Sequence, residues 1–155
     1  MRAFFVATMA LFATTAQAGT LTSHDGWRIL QTGHSYSDLV GKLNDAVKAN
    51  KMGLVTRASA TAGAKAAGIT IPGNMIVGVY RNDFARRMLN ASIAAGIEAP
   101  IRFYITENPD STATLSYKTP TAVFSPYFDD GGNDLEILAG ELDVIFAKIA
   151  EEATQ

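Results

Sequence analysis

The stretch IRFYITENPDSTATLSYK, residues 101–118, contains two runs in which apolar and polar residues alternate. Because the side chains of a β-strand point alternately to the two faces of a sheet, each run predicts a strand with one buried face. The predicted buried side chains are Ile101, Phe103 and Ile105 in the first run and Ala113, Leu115 and Tyr117 in the second. The Asn-Pro-Asp-Ser sequence between the runs is typical of a turn. We therefore predict a β-hairpin.

Further elements are predicted on both sides of this hairpin. Three further strands are expected at residues 27–33, 53–60 and 74–81. Four helices are expected: one after Ser35, one over 61–68, one from Asn82 or Asp83, and one from Asn133 or Asp134. The first helix shows an apolar stripe with steps of three and four residues, and so does the last. Residues 119–133 hold two prolines and two glycines and are predicted to form a loop. The economical assembly is an α+β fold in which one antiparallel sheet is layered with helices on one face.

The first residues, MRAFFVATMALFATTAQA, have the pattern of a secretory signal peptide. An arginine precedes an apolar run, and Ala16-Gln17-Ala18 supplies the small residues that a signal peptidase reads. The apolar run is shorter than the roughly 20 residues that cross a bilayer. We expect residues 1–18 to be removed and residues 19–155 to form a single domain in the periplasm or outside the cell, with no integral membrane segment after cleavage.

Composition excludes several functions. The sequence contains no cysteine, which excludes disulfides, a thiol nucleophile and cysteine-based metal sites. Its formal net charge is −2, whereas nucleic-acid binding depends on a basic excess. Neither a G-x-G-x-x-G pattern nor a phosphate-binding loop occurs, so we expect no nucleotide and no other cofactor.

The stretch GVYRNDFARRMLN, residues 78–90, has two interpretations. The strand leads into a helix at Arg81, Asn82, Arg86 and Arg87. A helix N-terminus attracts anions, so these residues could form an anion site. Arg102, on the polar side of its strand, could join such a site. In the alternative interpretation Asn82 caps the helix and the arginines form a solvated face, or pair with the acidic C-terminal third of the chain.

Aromatic residues suggest a second feature. Tyr80 and Tyr104 are predicted to share one face of the sheet, which could line a ligand pocket or a partner surface. In the alternative interpretation they close the outer core beneath a loop. The same face carries Ile76, which favours a homodimer. Our first hypothesis is therefore a non-enzymatic module that binds a small molecule or a protein. Its candidate ligand-binding residues are Tyr80, Arg81, Asn82, Arg86, Arg102, Tyr104 and Glu107.

Two other hypotheses remain open. The first is a hydrolase-like enzyme with a site near Arg81, Asn82 and Glu107, although no G-x-S-x-G nucleophile motif occurs. The second is metal handling, in which the two histidines and three methionines would bind copper(I). The residues concerned are His24, His34, Met52, Met75 and Met88. We prefer the binding module because the sequence shows neither a nucleophile–base pair nor a metal-ligand spacing.

The order of these motifs resembles the domain-of-unknown-function family numbered 302. The resemblance rests on Asn82 and Ala85 after an apolar strand, and on Pro100 before the strand Phe103 to Glu107. It covers roughly residues 30–150. Asp83 replaces the proline that usually follows the asparagine, and the cysteines of many members are missing, so a thiol-dependent role cannot apply. The resemblance implies a TATA-binding-protein-like layer of sheet and helices, sometimes paired as dimers, and no established reaction.

Overall fold

The computed structural model describes residues 21–155, so the predicted signal peptide lies outside the described residues. Five strands form one sheet in the order β1-β5-β4-β3-β2, and every neighbouring pair is antiparallel. Their bounds are β1 Trp27–Ser35, β2 Gly53–Ala58, β3 Asn74–Tyr80, β4 Ile101–Glu107 and β5 Thr112–Lys118. The predicted hairpin is β4 and β5, and the predicted α+β class with a single antiparallel sheet is confirmed.

The helices are α1 Tyr36–Ala49, α2 Ala60–Ala66, α3 Asn82–Ala91, α4 Pro120–Phe124 and α5 Phe128–Thr154. Short 3-10 segments cover Ala94–Glu98 and Ser125–Tyr127. Ser35 caps α1 as predicted, because its hydroxyl accepts a hydrogen bond from the backbone N–H of Asp38 at 3.2 Å. Within residues 21–155, none of the helices combines the length and the apolar character that crossing a membrane requires.

The hydrophobic core lies between the sheet and helices α1, α3 and α5. Val77, Phe103 and Tyr117 stand side by side on neighbouring strands and face these helices. The ring of Phe146, from α5, stacks on Phe103 with centroids 4.7 Å apart, and both side chains are fully buried. Aromatic pairs at this distance add about 0.5–1.5 kcal/mol to their area burial, so this stack ties the longest helix to the centre of the sheet.

The predicted loop over residues 119–133 is wrong, because this segment is mostly helical. The hydroxyl of Thr119 accepts a hydrogen bond from the N–H of Ala122 at 3.2 Å and so caps α4. Pro120 suits the first turn of a helix, where its missing N–H has no acceptor to lose. Helix α5 already begins at Phe128, and Gly132 interrupts it with a φ of 56°, which glycine adopts at little cost.

The predicted cap of α3 also differs from the structure. Arg81 occupies the N-cap position in an extended conformation, without a side-chain capping bond, and Asn82 is the first helical residue. The Asp83 carboxylate accepts two hydrogen bonds from the Arg81 side chain.

Candidate ligand-binding site

One face of the sheet is turned away from the core helices. The strand register places Ile29, Ser116, Tyr104 and Ile76 side by side on this face, which we call the open face. Ile76 is 38% exposed, although large apolar side chains are usually buried. Ser116 is fully buried in the floor of this face, and its hydroxyl lies 3.4 Å from the carbonyl oxygen of Tyr104. The open face is thus an apolar and aromatic surface that is available to a ligand.

A concave region of about 210 Å³ lies on this face, and we call it the open-face groove. Its lining consists of Trp27, Ile76, Glu98, Ile101, Arg102, Tyr104, Ser116, Tyr117, Lys118 and Val123. Most strand residues of this lining belong to the open face, whereas Ile101 and Tyr117 belong to the core-facing side of their strands. Glu98 and Val123 come from the segments that flank the sheet. A second cavity, between α3, α5 and the end of β3, has a volume of only about 30 Å³ and is lined mostly by core side chains. This cavity is far smaller than typical ligand pockets, so the open-face groove is the better candidate of the two.

Two cations lie together in the open-face groove. Phe103 pairs with Tyr117 across β4 and β5, and the same register continued by one residue places Arg102 opposite Lys118. Both side chains are exposed, and within residues 21–155 neither forms an ion pair. The ammonium group of Lys118 lies 5.9 Å from the centroid of the Trp27 ring, which is within the range of a cation–π interaction.

Glu98 is the acidic residue of the groove lining, and its carboxylate is already bonded. The hydroxyl of Tyr127 donates to Glu98 Oε1 at 2.9 Å. This hydrogen bond raises the pKa of Tyr127, since losing the donated proton would set a phenolate against the carboxylate. The bond fixes one oxygen of Glu98 at the rim of the groove.

Three of the residues predicted from the sequence lie on the open face: Tyr80, Arg102 and Tyr104. The register of β3 and β4 confirms that Tyr80 and Tyr104 share a face, because Ile76 is opposite Tyr104 and Tyr80 follows on the same side. Arg102 and Tyr104 line the groove. Tyr80 is 36% exposed at the end of its strand and lies outside the groove lining.

The predicted anion site at the start of α3 is not assembled around Arg81. The guanidinium group of Arg81 donates to both carboxylate oxygens of Asp83, at 2.8 and 3.1 Å, and this pairing lowers the pKa of Asp83. The same guanidinium group lies 4.3 Å from the centroid of the Phe84 ring. Asn82 and Arg86 are exposed, and no ion pair includes Arg86 in the part of the chain that the structure describes.

Arg87 pairs with an acidic residue of the C-terminal third of the chain, as the alternative interpretation predicted. Its guanidinium group donates to both oxygens of Glu141, at 2.6 and 2.9 Å. The charged hydrogen bonds lower the pKa of Glu141 and raise that of Arg87. This pair connects α3 to α5.

Glu107 lies apart from the other predicted residues. It ends β4, five residues beyond Arg102, which corresponds to about 17 Å along a strand. Its carboxylate accepts a hydrogen bond from the backbone N–H of Gly73 at 2.6 Å. The structure therefore does not bring Arg81, Asn82 and Glu107 into the single site that the hydrolase-like hypothesis needs.

The histidines and methionines are also dispersed. His24 lies against Trp27, with ring centroids 5.4 Å apart, and His34 belongs to β1. Met52 and Met88 are buried in the core. Between residues 21 and 155, no group of three or more His, Asp or Glu side chains is arranged to hold a metal ion.

No motif in the sequence marked Trp27, Ser116, Lys118 or Val123 as a site residue. Alternation along residues 112–118 was enough to place Lys118 on the same face as Ser116. It was not enough to show which strand lies beside β5. Trp27 reaches the groove because β1, the first strand in sequence, pairs with the last.

The fold and the groove define a small two-layer α+β domain with one solvent-accessible sheet face. The family profile described as "Domain of unknown function DUF302" matches residues 29–153, and the chain belongs to this family. A similar solved structure is the crystal structure of an uncharacterized conserved protein DUF302 from Bacillus stearothermophilus, which aligns with a TM-score of 0.74 and 16% identity. The alignment covers 85% of this chain and 100% of that one, and it shows the shared fold. The comparison with curated proteins gives no match.

Proposed function

We propose that this protein is a non-enzymatic binding module and that its ligand occupies the open-face groove. The observation that carries the proposal is the groove itself, a concavity of about 210 Å³ on a sheet face that the core helices leave free. Ligand sites typically combine an apolar lining with a few polar groups that fix orientation. Here Trp27, Ile76 and Tyr104 supply the apolar part, and Arg102 and Lys118 supply the polar groups.

The test is a fragment screen monitored by NMR. Binding in the groove is expected to shift the indole N–H signal of Trp27, the only tryptophan of the chain, and the methyl signals of Ile76. Tyr104→Ala removes a wall of the groove and should weaken binding. Tyr80→Ala is the matched control, because Tyr80 has the same side chain on the same face outside the groove lining. Fragments that bind elsewhere, or equal losses in both variants, would contradict the proposal.

We also propose that the protein is exported to the periplasm or secreted, which the signal-peptide pattern of residues 1–18 supports. N-terminal sequencing of protein from the exported fraction should give Gly19 as the first residue. The same preparation, analysed by native mass spectrometry, would show a co-purified small molecule as added mass. A chain that still begins at Met1 would contradict export.

A protein partner is the second candidate, and a second copy of this chain is the form that we propose. The supporting observation is the exposure of Ile76 and Tyr80 on the open face, at 38% and 36%. Burying these side chains between two copies would remove apolar surface from water. Light scattering should show a dimer that Ile76→Lys converts to a monomer. A wild-type protein that stays monomeric at high concentration would refute this proposal.

A further inference from the structure

We infer that the ligand is a small monocarboxylate with a body about the size of one ring, and that Arg102 and Lys118 bind its carboxylate. This inference rests on the binding function proposed above and adds the chemical class of the ligand. Its support comes from the placement of the two cations, the net charge of the groove and the size of the groove.

The placement of the cations is unfavourable without a ligand. Arg102 and Lys118 lie opposite each other on neighbouring strands, and like charges in that position destabilise a sheet. Two other arginines are paired with acids, Arg81 with Asp83 and Arg87 with Glu141. A bound anion would supply the missing partner of the groove cations, and arginine can bind a carboxylate through two parallel hydrogen bonds.

The charge of the groove favours a single negative charge on the ligand. Its lining contains two cations, Arg102 and Lys118, and one carboxylate, Glu98. The formal charges of these three groups sum to +1. The Glu98 carboxylate is held at the rim by the hydroxyl of Tyr127, at 2.9 Å, and no nitrogen of either cation lies within ion-pair distance of it. A monoanion would neutralise the groove, whereas a dianion would reverse its charge.

The size and lining of the groove define the body of the ligand. A volume of about 210 Å³ is below the roughly 300–1,000 Å³ of pockets that hold drug-sized ligands, so the ligand is expected to be smaller than these. One ring with its carboxylate is a body of this smaller size. Trp27 and Tyr104 offer aromatic side chains beside the cations, and Ile76 adds an aliphatic surface. Such an apolar lining favours a ring over an equally small polar body.

The experiment measures the quenching of tryptophan fluorescence, because the chain has one tryptophan and it lines the groove. The probes are benzoate, its neutral analogue benzamide, and inorganic phosphate. Benzoate should bind at least tenfold more tightly than benzamide or phosphate. Arg102→Gln should weaken benzoate binding by about 10- to 100-fold, the range for losing hydrogen bonds to a charged group. Benzamide binding should change less than threefold.

Arg86→Gln is the matched control, because it removes the same charge from an exposed position outside the groove. This variant should leave benzoate binding unchanged. Lys118→Gln is the second test variant and should also weaken benzoate binding, so the test does not depend on one substitution. Thermal melts monitored by circular dichroism verify that each variant is folded.

The outcomes separate this inference from the proposed function. If benzoate and benzamide bind equally, or if Arg102→Gln and Arg86→Gln have equal effects, the carboxylate inference is overturned while the binding module stands. If phosphate binds as tightly as benzoate, the ring-sized body is overturned. If neither the probes nor the NMR fragments bind in the groove, the proposed function fails and the inference fails with it.

Discussion

Replacing Arg102 with glutamine should stabilise the ligand-free protein while weakening ligand binding. Arg102 and Lys118 are neighbours across β4 and β5, and within residues 21–155 neither cation forms an ion pair. If their charges stand about 7 Å apart in water, their repulsion is about 0.6 kcal/mol. For a domain of this length that energy corresponds to a rise in Tm of about 2 °C. Glutamine keeps much of the aliphatic stem, so the loss of packing is small.

The assay is thermal unfolding followed by circular dichroism at low salt and in about 1 M salt, where the Debye length is only about 3 Å. The increase in Tm caused by Arg102→Gln should be present at low salt and largely absent at high salt. Lys118→Gln should give a similar gain, and the double variant should gain less than the sum of the two, since either substitution removes the whole repulsion. Arg86→Gln controls for the general effect of removing a positive charge.

Two results would refute this reasoning. The first is a lower Tm for Arg102→Gln at low salt, which would mean that Arg102 stabilises the empty groove. The second is a gain that is independent of salt or fully additive with Lys118→Gln, because neither behaviour fits repulsion between two exposed charges. In both cases, repulsion between Arg102 and Lys118 would give no energetic reason for an anion to bind between them.

Three further predictions concern stability. Phe146→Ala should destabilise the protein by about 3–5 kcal/mol in a urea titration, because the fully buried ring stacks on the central strand; a loss below about 1 kcal/mol would contradict this packing. Gly78→Ala should lower the free energy of unfolding by about 1–3 kcal/mol, because a Cβ atom there would lie 2.8 Å from Pro100 Cγ and would clash with the Thr56 hydroxyl. An unchanged urea midpoint would show that Pro100 and Thr56 move aside without loss of stability. Burial raises the pKa of Tyr117, so its contribution to stability is present below about pH 10 and is lost as pH rises through the folded-state pKa. Tyr117→Phe should therefore unfold at a higher pH than the wild type in an alkaline titration, whereas an identical midpoint would show that Tyr117 does not limit alkaline stability.

Local patterns in the sequence were sufficient to predict the strands and helices in which apolar residues recur with a regular period. The alternation in residues 101–118 determined which side chains of the hairpin face the core helices, because the period of a strand is two wherever the strand lies. The start of α1 was also predictable from local sequence, because the Ser35 hydroxyl accepts its capping bond from Asp38, only three residues further along the chain. The segment 119–133 was misjudged because its prolines and glycines occupy helix starts and a break within α5, which composition alone does not reveal.

The candidate site depended on contacts that are distant in sequence. The sequence by itself determined that Arg102 and Tyr104 share one face of a strand, and that Lys118 and Ser116 share one face of another. Only the tertiary structure decided that these faces lie side by side, that β1 brings Trp27 to them, and that the Glu107 carboxylate binds the N–H of Gly73. The physical reason is that alternation fixes the side to which a residue points, whereas strand order and register are set by the packing of the whole core.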